Sequence, residues 1–286
     1  MLQPGKNVLI AGATGYLGQR LIKAYAEADY SVRALARAPE KLCGLGDYLD
    51  DIFVGEATKP ASVEGCCDGI DLVVSALGVT RQKDGLTYEE VDYGANRNLL
   101  DEALRAGVQR FTYIHVLNAE QMPGSDMARA KAKFASDLQN AAIASTIIRP
   151  SGFFSDLMEI LQMAQAGRVY LFGDGQSRMS PIDGSDLAQL CVRVSHDGCE
   201  QVEAGGPQTF TQDEIARLAF QVLNKPPAIT HIPLYVGKAG VALAKLLGFR
   251  SVAGPIEFFL SASALDMSAP PNGERLLKDA FQAGLN

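Results

Sequence analysis

The sequence predicts an α/β protein, a doubly wound parallel sheet with a smaller C-terminal substrate lobe, on three observations. Short β-branched runs alternate with amphipathic helical windows through the N-terminal half, a glycine-rich turn joins the first run to the first window, and after Pro150 the alternation stops. Strands alternating with helices bury a parallel sheet between two helical layers. Ligands of such sheets collect at the carboxyl ends of the strands.

The runs "NVLIAG", "YSVRALAR", "DIFVGE", "DLVVSAL", "RFTYIHVL" and "STIIRP" have the length and residue types of strands, while "GQRLIKAYAEA" and "GANRNLLDEALRAG" between them have helical spacing. Beyond Pro150 come Gly-rich turns in "GRVYLFGDGQSRMSPIDGSD" and two helical windows around "TQDEIARLAFQVL" and "VGKAGVALAKLLG". We therefore expect a nucleotide-binding domain over 1–150 and a mainly substrate-binding lobe over 151–286, with a segment near 181–205 returning to the first domain as a strand around Gln201 to Ala204. Thr211 with Glu214 three residues on forms a capping-box pattern at a helix start. Asp183 and Asp186 in "PIDGSD" suit the first turn of another helix, where their charge caps and complements the helix end.

The 286 residues are 47% hydrophobic and 21% charged, enough for a sizeable core. A net charge of -7 and the lack of any basic block argue against a nucleic-acid partner. The longest apolar stretch, "LYVGKAGVALAKLLGF", is short and carries two lysines, so no membrane span is expected. The N-terminus lacks the pattern of a signal peptide, and five cysteines without CxxC or paired histidine spacing suggest reduced thiols in a cytoplasmic protein with no structural metal.

"VLIAGATGYLG" places Gly12, Gly15 and Gly18 between strand and helix, with Thr14, Tyr16 and Leu17 in the same turn. Glycine is required where a turn is tight, where backbone approaches a pyrophosphate and where helix meets sheet, and the helix N-terminus then offers free N–H groups to the phosphates. The fold expected is therefore Rossmann-type. At the end of the second strand, an NAD site would carry Asp or Glu for the ribose hydroxyls, whereas a 2'-phosphate needs cations. Arg37 stands there with Lys41 shortly after, which favours NADP(H); the alternative is a solvated surface arginine.

The spacing in "GATGYLG" resembles the short-chain dehydrogenase/reductase superfamily in its extended and atypical branches. "VVSALG", "VDYGANRNLLDEALRAGVQRFTYI", "TIIRPSGFF", "SPIDGSDLAQL" and "AGGPQTFTQDEIA" follow in the order expected of the atypical, NmrA-like NAD(P)-binding proteins. The resemblance implies cofactor contacts at Glu56 and Ala57 near the adenine and at Ser75, Ala76, Leu77 and Gly78 under the ribose and pyrophosphate. It implies others at Pro150, Ser151, Gly152 and Phe153 near the nicotinamide carboxamide. It also places Lys131 at the family's lysine, which holds the nicotinamide ribose, and Met127 at the family's tyrosine, four residues earlier.

Methionine cannot donate a proton, so ordinary carbinol–ketone chemistry is not expected. Three readings stay open, the third being an assembly or chaperone-like subunit that holds the nucleotide structurally. The chain is an NADPH-dependent reductase of a small carbonyl-conjugated, quinone-like or enone compound, with Lys131 for ribose binding and acid catalysis and His115 as a donor to a substrate oxygen. Alternatively it is a non-catalytic NADP(H) sensor acting through a protein partner. Phe154 and Met158 are candidate walls of an apolar substrate cavity, and Arg81, in "GVTRQKDGLT", is a candidate contact for an anionic or carbonyl-bearing ligand.

Overall fold

The computed structural model describes residues 7–79 and 85–285. In chain order the elements begin with β1 (Asn7–Ala11), α1 (Tyr16–Glu27), β2 (Ser31–Ala36), β3 (Asp51–Val54), α2 (Pro60–Val63) and β4 (Leu72–Ser75). A π-helical segment, Glu89–Ala95, runs directly into α3 (Asn96–Ala106), followed by β5 (Arg110–Ile114), α4 (Asp126–Gln139), β6 (Ala144–Pro150) and α5 (Phe154–Gln165). The remainder is β7 (Val169–Phe172), β8 (Arg178–Met179), α6 (Gly184–Asp197), β9 (Gln201–Ala204), β10 (Phe210–Thr211), α7 (Gln212–Val222), β11 (Ile229–Ile232), α8 (Leu234–Leu246), α9 (Arg250–Ala262) and α10 (Leu277–Ala283).

Seven strands pair in the order β3-β2-β1-β4-β5-β6-β9, and every pair is parallel. The central strand shows why the sequence makes this sheet: Val8, Leu9, Ile10 and Ala11 of β1 are all fully buried, as a strand covered on both faces must be. Leu21, Ile22 and Tyr25 of α1 and Leu187 and Cys191 of α6 fill one face. Leu99 and Leu100 of α3 and Phe134 and Leu138 of α4 fill the other. The chain reverses between β1 and β4, which opens a crevice at their carboxyl ends.

The lobe has its own core, where Leu157 and Leu161 of α5, Ile215 and Phe220 of α7, and Leu277 and Phe281 of α10 meet. At the start of α7, the Thr211 hydroxyl accepts from the Glu214 N–H at 3.1 Å, and the Glu214 carboxylate accepts from the Thr211 N–H at 2.7 Å. Of the two aspartates at the start of α6, Asp183 is the cap, accepting from Ser185 N–H at 2.8 Å. Asp186 does more than complement the helix end. Its carboxylate accepts from the N–H groups of Glu274 and Arg275, each at 2.9 Å, and pairs with the Arg275 guanidinium, fixing the C-terminal segment to α6.

Because Asp186 is buried and holds two backbone donors as well as a cation, Asp186→Ala should cost about 3 kcal/mol. Asp183→Ala should cost about 1 kcal/mol, the value of a helix cap. Urea unfolding of the two variants gives the comparison.

Candidate active site

The β1–α1 turn is shaped by what it cannot hold. Gly12 has φ +80°, and a Cβ on it would lie 2.7 Å from the Ala76 carbonyl oxygen; a Cβ on Gly18 would overlap the Gly12 carbonyl. Helix and turn therefore pack backbone to backbone. No side chain caps α1 at Gly15, so its first N–H groups, from Tyr16, Leu17 and Gly18, face a cavity that these residues line with Gly12 and Gly15. Thr14 stands beside them, its carbonyl accepting from the Gln19 amide at 3.3 Å. Such a cradle fits a dinucleotide pyrophosphate.

Along the strand ends to one side, Arg37 follows β2 and Glu56 follows β3. Their side chains pair at 3.4 Å, and the Arg37 side chain is half exposed. Thr58 also donates to the Glu56 carboxylate at 3.0 Å. Lys41 is exposed, and Ala57 is buried with its carbonyl accepting from Asn98 at 2.9 Å. The expected phosphate clamp and adenine contact are thus joined as an ion pair that an incoming 2'-phosphate would have to share.

Under the crevice, Ser75 is fully buried and donates to Asn96 at 2.5 Å, so it braces the strand end from below. Ala76, Leu77 and Gly78 line the cavity itself. A Cβ on Gly78 would stand 2.9 Å from an Asp92 carboxylate oxygen and 3.2 Å from Lys131 Nζ. Glycine there leaves room for an ion pair that the sequence did not announce: Lys131 Nζ lies 3.2 Å from Asp92 Oδ1, with Asp92 fully buried. The π-helical segment before α3 carries Asp92 to this point, and π-turns of this kind recur at functional sites. Asp92 Oδ2 accepts from the Val79 N–H at 3.2 Å. Lys131 also donates to the Ile114 carbonyl at 3.4 Å and lies over the Tyr113 ring, 5.4 Å from its centre.

Met127 lines the same cavity one turn before Lys131. It packs with Tyr88 and Ala130 against Phe258, an apolar setting that suits a thioether. Tyr88 is buried and absent from the cavity wall, while Tyr93 donates to Asp137 at 3.0 Å.

His115 does reach the cavity, but not as a charged acid. Burial first, then the nearby Lys131 and Arg149 cations, push its pKa down to about 3, so the imidazole is neutral. Its Nε2 is 3.7 Å from Glu120 and its ring stacks on Tyr113. A general-acid role near neutral pH does not suit it; a neutral N–H donor role does.

At the end of β6 and just beyond it, Pro150, Ser151, Gly152 and Phe153 line the cavity. Ser151 is tied down by a hydrogen bond from its hydroxyl to the Met267 carbonyl at 2.5 Å and one from Ser180 N–H at 2.9 Å. The cavity, about 540 Å3, then runs into the lobe between Ile160 and Met163 of α5, Phe172 of β7, and Ile256, Phe258 and Phe259 of α9. Its size and mostly apolar walls are those of a small-molecule site.

Phe154 and Met158, expected on this wall, are not on it. Phe154 belongs to the lobe core and Met158 packs against that core. Helical phase is the reason: Asp156, Glu159, Ile160 and Met163 take the cavity face of α5. Asp156 is a residue the sequence did not single out; burial, with Glu159 nearby, pushes its carboxyl up to about 6. Arg81 lies outside the described residues.

The low His115 value sets the sign of a pH effect. Below about 6.5 the unfolded chain takes up a proton that the folded chain refuses until about pH 3. Stability is therefore lost as pH falls through that window, by up to about 1.4 kcal/mol per pH unit. Urea titrations at about pH 7 and about pH 5 should show a smaller acid loss for His115→Gln than for the wild type.

Comparison with known proteins accords with this geometry. The family model described as NAD(P)H-binding matches residues 12–197, from the glycine turn through α6. Divinyl chlorophyllide a 8-vinyl-reductase of Arabidopsis thaliana is 27% identical over 301 residues, covering 94% of this chain and 71% of that one. Photosystem II assembly factor Ycf39 of Trieres chinensis is 25% identical over 247 residues, covering 85% and 76%. Among solved structures, the NADPH-dependent quinone oxidoreductase QOR2 of Escherichia coli shares the fold with a TM-score of 0.79 at 17% identity, covering 98% of this chain and all of its own. With the glycine cradle at the head of the matched region, which spans residues 12–197, this chain belongs to the NAD(P)H-binding family.

Proposed function

We propose that the chain is an NADPH-dependent reductase of a small apolar compound whose double bond is conjugated to a carbonyl, an enone or a quinone. The observation that carries this reading is one continuous cavity. It leads from the glycine cradle, past a buried lysine where the family's tyrosine is replaced by Met127, into an apolar lobe. Among the proteins to which the chain is similar, a vinyl-reductase and a quinone oxidoreductase are in keeping with it. When bound, the cofactor supplies hydride to an electron-poor carbon.

In this reading residues 1–150 hold the cofactor and 151–286 mainly the substrate. Gly12 to Gly18 and the N-terminus of α1 hold the pyrophosphate, and Ala76 to Gly78 leave space beneath it. Arg37, released in part from Glu56, takes the 2'-phosphate with Lys41 near. Lys131 holds the ribose and faces the acceptor, and Pro150 to Phe153 shape the nicotinamide end. The apolar residues of α5 and α9 exclude water, which strengthens every charge interaction inside. No helix among the described residues is long and apolar enough to cross a membrane. The five free cysteines favour a reducing compartment such as the cytoplasm.

A second reading, a cofactor-holding subunit of a larger assembly, is favoured by one feature. Tyr235, Leu243, Leu246, Leu247 and Phe249 form an exposed apolar face on α8 and the turn after it, and relatives include an assembly factor and a subunit of NADH dehydrogenase in Arabidopsis thaliana. NADPH that neither exchanges nor is oxidised by any acceptor would favour this reading.

Two outcomes test the first reading. Arg37→Ala should weaken NADPH by about 1.5–3 kcal/mol, roughly ten- to hundredfold in Kd, and leave NADH nearly unchanged; equal losses in fluorescence titration would remove the 2'-phosphate assignment. With a panel of quinones, enones and aldehydes, Lys131→Met should lower NADPH oxidation by about a hundredfold or more, the usual worth of a general acid. An undiminished rate would remove Lys131 from the chemistry.

A further inference from the structure

A reduction of this kind needs a proton as well as hydride, and the residue that gives it in the family is absent. The other titratable groups around Lys131 come from three elements: Asp92 on the π-helical segment with Tyr88 at its start, Tyr113 on β5, and His115 after β5 with Arg149 of β6 facing it. Tyr88 and Tyr113 are buried off the cavity wall. His115 carries no proton to spare near neutral pH. Lys131 lines the cavity, and among the described residues its carboxylate partner is the fully buried Asp92, held by the Val79 N–H.

Resting on the reductase reading, we propose that Asp92 is a positioning residue: it keeps Lys131 charged and aimed into the cavity, so that Lys131, in place of the family's tyrosine, delivers the proton that completes the reduction. The acceptor takes two electrons and one hydrogen from NADPH at one end of its conjugated system, and its electrons shift to the oxygen at the other end. There the N–H bond of Lys131 breaks as an O–H bond forms. Lys131 is left as the neutral amine and regains a proton from solvent.

The physical need for Asp92 is plain. A lysine taken out of water loses its proton readily, and a buried lysine alone would be uncharged near neutral pH. Burial pulls Lys131 down, but Tyr113 and Asp92 together hold it above its ordinary value. Burial raises Asp92 as well, against the pull of Lys131. The pair as a whole retains its protons, as a donor must. A methyl group at Gly78 would press on both members of the pair, so the glycine that opens the ribose site also leaves room for it.

The test reads the lysine directly and does not depend on turnover. In protein labelled with 13C at the lysine Cε, with the Lys131 resonance assigned through Lys131→Arg, wild-type Lys131 should stay protonated well beyond neutral pH and titrate above the ordinary lysine range. In Asp92→Asn, which keeps the shape and the acceptor for Val79, its midpoint should fall by about one unit or more, with NADPH still bound. The alkaline limb of NADPH oxidation should move down with it.

An unmoved midpoint overturns the proposal. So does a wild-type rate that already falls above about pH 6, the behaviour of a carboxyl donor such as Asp156. Should Asp92→Asn not fold, Lys131→Met reads the coupling from the other side: the Asp92 carboxyl carbon should titrate at higher pH than in the wild type, and an unchanged value again overturns it. If no acceptor is reduced but the lysine midpoint still moves, the reductase reading falls and the coupling between Asp92 and Lys131 stands.

Discussion

Helix α1 and the turn before it approach so closely that no side chain fits between them, and much of the site follows from that constraint. The Gly12 carbonyl lies where a Cβ on Gly18 would stand, and the Ala76 carbonyl crowds Gly12 in the same way. The approach brings the uncapped start of α1 against the strand ends of β1 and β4, so that unpaired N–H groups and the helix dipole face one point. A charged ligand at that point would take the place of the capping side chain that Gly15 cannot provide. The core on either side, with Leu21 and Ile22 on one face and Leu99 and Phe134 on the other, makes the arrangement rigid.

A second centre lies where β4, β5 and α4 meet. Two opposite charges are placed 3.2 Å apart with the carboxylate wholly out of water. Their desolvation is offset only because each has further partners, Val79 N–H for Asp92 and the Ile114 carbonyl and Tyr113 ring for Lys131. Such pairs are seldom kept for stability, since a well-packed apolar pair would serve as well. Beside it, His115 loses its charge for the same reason that Lys131 needs a partner: the surroundings are poor in water and rich in positive charge.

The lobe contributes shape more than charge. α5, β7 and α9 close an apolar chamber over the strand ends, while α7 and α10 pack behind α5 in a separate core. Asp186 helps to hold the final segment, fixing the chain just before α10 packs against α5. Binding cavity and C-terminus are thereby linked through the helix whose other face completes the nucleotide-binding core.

The sequence by itself determined the fold class, because the period of its apolar residues changes between strand and helix and glycine falls where backbone must meet backbone. It also marked the α7 capping box, a pattern confined to four residues whose partners are one turn apart. What depends on residues distant in the chain was not legible. Asp92 is one acid among several in "YEEVDYG", and only the π-turn and the pairing of β4 with β5 bring it to Lys131. Phe154 and Met158 looked like cavity walls because aromatic and sulfur side chains suit one, but the phase of α5 was set by which face the lobe core covered. Local patterns fix elements through short-range geometry; burial, and with it the charge of His115, Lys131 and Asp156, is decided only when the elements pack.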